Sequence, residues 1–124
     1  MEYLLLVYAD ETLREQMPEG EYDAHMRTCF RHADDLRAQG KLKDYRQLEQ
    51  PDTGKSVRIR GGKTTVLDGP FAETKEILAG FNLIEADSLE EAVEIASHIP
   101  WAQTGCIEVR PVRDSQAVRL RVGA

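Results

Sequence analysis

A histidine beside a carboxylate is a proton-transfer device that needs no cofactor, because imidazole changes charge near neutrality. His25 is the candidate here. The carboxylates expected opposite it are Asp68 and Glu73, in the polar block Asp68-Gly-Pro-Phe-Ala-Glu-Thr-Lys-Glu76. Such a carboxylate orients the ring and favours its protonated form, while Lys75 or Arg58 would hold an anionic or enolate-like oxygen. Tyr8 and Tyr22 would add hydroxyls to the same cleft. The implied chemistry is proton abstraction or isomerisation on a small polar or anionic metabolite. The alternative is a non-enzymatic module that senses a small ligand or binds a protein. His25, Cys29 and His32, at i, i+4 and i+7 with Asp35 beyond, have a spacing that suits a borderline divalent metal. They do not close a structural site by themselves, and the simpler account puts Cys29 in an apolar stripe bordered by the histidines, so no metal is expected. The block also has a bland reading, in which Asp68-Gly69-Pro70 turns the chain, Phe71 plugs the core and Glu73 to Glu76 form a solvated rim.

Those side chains need elements to position them. Tyr3 to Ala9 is apolar on both faces and predicts a central strand. Tyr22, Met26, Cys29, Phe30, Ala33 and Leu36 recur at helical spacing, predicting an amphipathic helix from Met17-Pro18 to about Gly40. Lys41 to Gln50 contains a short strand before a Pro51-Asp-Thr-Gly54 turn. Ser56 to Arg60 and Lys63 to Leu67 alternate about Gly61-Gly62, a hairpin signature, and their polar positions place the hairpin near a sheet edge or leave one of its faces exposed. Ile77 to Ala86 is a second long apolar strand, with Ile77, Ala79, Phe81 and Leu83 expected on one face and Leu78, Gly80, Asn82 and Ile84 on the other. Ser88 with Glu91 signals a capped helix that Pro100 ends, with Trp101 as its cap or at a dimer interface. Cys106 to Val112 is the last strand. One domain, residues 1–112, precedes a tail, residues 113–124, in which Ala117 to Val122 is expected to add a short edge strand.

This order makes an α+β two-layer sandwich of the ferredoxin-like kind, two helices on one side of an antiparallel sheet. Both long strands are apolar on both faces, so the second sheet face needs cover. The expected partner is a second copy, giving a homodimer with its sheets face to face.

Composition narrows the partners. A chain of 124 residues, 41% hydrophobic and 31% charged, suits one globular domain. Sixteen basic against 22 acidic residues, a net charge of −6, gives no long-range attraction for nucleic acid or anionic membrane. Cys29 and Cys106 have no CxxC spacing and suit a reducing compartment, and the short apolar start predicts neither leader nor span, so a cytoplasmic protein is expected.

The block from Asp68 to Glu76, the strand Gly80-Phe-Asn-Leu-Ile-Glu-Ala86, the ending Ile107-Glu-Val-Arg-Pro-Val112 and the opening Tyr3-Leu-Leu-Leu-Val-Tyr8 resemble the YCII-related family, in the branch named for its Asp-Gly-Pro-Phe motif. The resemblance implies a ferredoxin-like domain that dimerises as an α/β barrel, similar in form to small monooxygenases and muconolactone-isomerase-like proteins. It brings no motif for haem, flavin, nicotinamide or metal, so no cofactor is expected. Another branch carries an early-helix histidine proposed as half of a His-Asp pair, and His25 occupies a comparable place.

Overall fold

A computed structural model describes the chain from Met1 to Ala124. Strands β1 (Glu2–Asp10) and β5 (Glu76–Glu85) are the centre of an antiparallel sheet, flanked by β2 (Leu42–Gln47) and β6 (Gly105–Pro111) in the order β2-β5-β1-β6. Both central strands are the long apolar ones, as their two-sided hydrophobicity requires. Helices α2 (Glu21–Ala38) and α3 (Leu89–Ser97) cover one face, so the core follows the ferredoxin-like β-α-β-β-α-β order. That face carries Tyr3, Leu5, Leu42 and Ile84, packed against Ala33 and Leu36 of α2 and Ala92, Ile95 and Ala96 of α3. Leu5 and Ile84 are wholly buried, each worth roughly 1.5–3 kcal/mol by transfer from water.

Helix α3 starts as its sequence demands. Ser88 accepts from the Glu91 amide at 3.1 Å, and the Glu91 carboxylate accepts in return from the Asp87 amide at 3.1 Å. The first long helix begins later than expected, at Glu21, because a short helix α1 (Glu11–Glu15) and a turn come first. Asp10 caps α1 by accepting from the amides of Thr12 and Leu13.

Three expectations are corrected. Val7 pairs with Gly80 but Tyr8 pairs with Leu78, so Ala79 bulges out of β5. One extra residue reverses the faces beyond it: Leu78 joins Phe81 and Leu83 on the open face, and Ile77 turns to the helix side. The hairpin of β3 (Lys55–Arg60) and β4 (Lys63–Asp68) forms, but as a separate two-stranded sheet rather than at an edge of the main one. The tail is not an edge strand but helix α4 (Ser115–Val122), capped by Asp114 accepting from the Ala117 amide and ended by Gly123 at φ 75°. Caps at both ends outweighed the alternating pattern between them.

Candidate functional site

A cleft of about 300 Å³ opens between the N-terminal half of α2 and the sheet. Its cause is local. Under the C-terminal half of α2 the sheet presents the buried Leu42 and Ile84, whereas under the N-terminal half Ala9, Ala79, Gly80 and Asn82 stand beside Val7 and Ile77, and these small side chains leave space open. Gly80 is fixed there by its neighbour strand, since a Cβ would stand 2.6 Å from the Arg46 carbonyl oxygen. Tyr22, Met26 and Cys29 of α2 form the roof, Trp101 closes one side, and Gln47 and Gln50 border the mouth.

The charged groups gather at one end. Asp10 is only 7% exposed yet lines the cleft. Its Oδ1 is committed to the α1 cap, whereas Oδ2 makes no hydrogen bond and faces the Lys75 ammonium at 3.7 Å. The Arg14 guanidinium lies 4.5 Å above the centre of the Tyr22 ring, and Tyr22 in turn packs on Trp101 at 5.4 Å. Gln50 ties this end together once its amide is turned so that the nitrogen donates to Glu11 and the oxygen accepts from Arg14, each at 3.1 Å. Burial pushes the Cys29 thiol up to about 11, with a hydrogen bond from Trp101 pulling the other way, so at neutral pH it is a thiol and not a nucleophile.

The residues expected to form the site are dispersed. Tyr22 lines the cleft, and Lys75 reaches its edge through Asp10. His25 does not line it: the ring packs edge-on against Trp101 at 5.3 Å, Nε2 lies 3.7 Å from Glu21, and Nδ1 is buried without a partner. The expected pairing of His25 with Asp68 or Glu73 is therefore absent, and its carboxylate neighbour is one helical turn away. Asp68 is at the end of β4, where it accepts from Lys55 at 2.5 Å instead of from a turn amide. Glu73 is exposed and unpaired. Arg58 stacks 4.0 Å over Phe71, which plugs the hairpin root and not the main core. Tyr8 points to the open sheet face, donating to Glu108 at 3.4 Å. Nor do His25, Cys29 and His32 assemble: no three His, Cys, Asp or Glu side chains converge to hold a metal ion. Trp101, expected as a cap of α3 or at an interface, packs on α2.

Asp10 is the residue that sequence reasoning missed. The available signal was an aspartate closing a strand ahead of Glu-Thr-Leu-Arg, a helix start too short to show periodicity.

Residues 1–116 match the family model described as the YCII-related domain. An uncharacterised protein of Rhizobium meliloti (strain 1021) is 38% identical over 114 residues, which cover 90% of this chain and 92% of that protein.

Proposed function

From the premise that this chain belongs to the YCII-related domain family, we propose that its cleft binds a small polar or anionic metabolite and moves a proton on it. The observation that carries this reading is Asp10, a buried carboxylate at the cleft with one oxygen free of hydrogen bonds. That oxygen is the proton acceptor. Lys75 and Arg14 stabilise the enolate-like oxygen that forms, and the Tyr22 and Trp101 rings hold the apolar part of the ligand. The base thus moves from His25 to Asp10, while the reaction class stays proton abstraction or isomerisation.

Asp10→Asn separates cap from base, since the amide oxygen still caps α1 but accepts no proton. In heavy water, small keto and hydroxy acids incubated with the protein should lose α-proton signal in NMR spectra. Asp10→Asn should slow that exchange by roughly 10²–10⁴-fold with the fold intact. Equal exchange in both proteins would rule Asp10 out. The cap supports a second reading: the carboxylate that meets the ligand also holds α1, so occupancy couples to that helix as a sensor would need. Binding that stabilises the protein without proton exchange would favour it.

The finer family placement belongs to this proposal as well. Asp68-Gly69-Pro70-Phe71 supports a place in the branch carrying that motif, and the unbridged Cys29 and Cys106 fit a cytoplasmic setting. No helix is long and apolar enough to cross a membrane. The homodimer, closing an α/β barrel face to face, is supported by the open side of the sheet, where Leu4, Leu6, Phe81 and Leu83 are half-buried and Leu78 is exposed. Its rim charges are already paired within the chain, Lys43 with Glu2 and Glu85, Arg46 with Asp44, and Arg110 with Glu108, so covering them strands no charge.

A further inference from the structure

We propose that the β3–β4 hairpin is an arm that lies on a second copy of this chain, apolar face down. The inference rests on the homodimer proposed above and adds a contact that facing sheets do not supply.

Strand pairing sorts the hairpin into two faces. Val57 stands opposite Val66, and Ile59 shares their side, with exposures of 64%, 53% and 59%. The reverse side carries Arg58, Arg60 and Lys63. Neither strand packs extensively on a helix or strand of the main domain. The segments that flank the arm are held by the Leu48 amide donating to the Ala79 carbonyl at 2.8 Å, by Gln50 against Glu11 and Arg14, and by Lys75 approaching Asp10. A lone two-stranded hairpin is marginal in water, and one that shows three β-branched side chains to solvent is a surface that stabilises by being covered.

Charge says what covers it. Residues 55–68 hold Lys55, Arg58, Arg60 and Lys63 against Asp68 alone, a net +3 in a chain of −6, which leaves −9 on the remainder. Arg58, Arg60 and Lys63 stand on the reverse face, so they act at long range, drawing the arm toward the acidic body of another copy. Nucleic acid or an anionic membrane would attract the arm but repel everything behind it.

The test mixes isotope-labelled with unlabelled protein, lets subunits exchange, and applies a carbodiimide that joins lysine amines to carboxylates in direct contact. Lys55, on the side of Val57, should form mixed-label links to acidic residues outside 55–68. The double variant Val57→Ser/Val66→Ser should weaken dimerisation by about tenfold or more, with the circular dichroism of the domain unchanged. A dimer whose Lys55 links all carry one label, or whose affinity ignores the double variant, overturns the arm and leaves the facing sheets standing. A monomer at micromolar concentration overturns both.

Discussion

Gly105 sits where β6 meets β1 opposite Ala9, and a Cβ there would stand 2.0 Å from the Tyr8 carbonyl oxygen. The obstacle is backbone, which cannot swing aside as a side chain can, so Gly105→Ala must part the two strands. Overpacking of this kind costs about 1–3 kcal/mol, and each kcal/mol lowers the thermal midpoint by roughly 2–8 °C. Gly54→Ala is the matched control, since its Cβ would meet the Pro51 carbonyl at an ordinary 3.6 Å. Equal midpoints for the two variants would show that the strands yield freely. Asp10 belongs to the same scale. Residue type and spacing marked His25, Asp68 and Glu73 as chemical candidates, but burial decides which carboxylate faces a cleft, and burial is set by a fold that single residues do not display. Tyr22 was legible because its helical period puts it over the sheet. His25, one position before Met26 of the same stripe, packs on the edge of Trp101 and stays out of the cleft.

Helices α2 and α3 meet at a pair of imidazoles, His32 and His98, whose ring centres are 6.2 Å apart. His98 also bonds Glu94 at 3.0 Å, and Asp35 lies near His32. Partial burial, and then the charge on His98, push His32 below its ordinary value of 6.5, against a smaller opposite pull from Asp35. A depressed folded value means that the unfolded chain takes up the proton first. Stability is therefore full above about pH 6.5 and falls as pH drops from there toward the folded value. Thermal midpoints measured down this range should decline, and His32→Gln should flatten the decline. An unchanged slope in that variant would assign the acid sensitivity elsewhere. At this scale the sequence was readable wherever a long period ran undisturbed, as in β1, α2 and α3. It misled where a local device intervened. The Ala79 bulge reversed the faces of Ile77 and Leu78, and Asp114 with Gly123 made a helix of the Ala117 to Val122 stretch, which alternates like a strand.

The whole molecule leaves two apolar surfaces in water, the open sheet face and the outer face of the hairpin, and one partner copy can cover both. The two-sided hydrophobicity of β1 and β5 made the first legible from the sequence. The second was legible only as one of two alternatives, because the hairpin's alternation reads the same at a sheet edge as on a detached arm. The surfaces separate by substitution. Leu6 lies directly across from Phe81 at the centre of the open face. Leu6→Glu places a charge there on each copy, and facing sheets would bury both near the twofold axis with no partner. In the single chain the same side chain is half-exposed, so the domain should fold normally. On the dimer proposed above, light scattering should report two copies for the unaltered protein and a monomer for this variant, a larger loss than the arm variant gives. If Leu6→Glu keeps the dimer at its original strength, the sheets do not face each other, and the arms alone must hold the copies together.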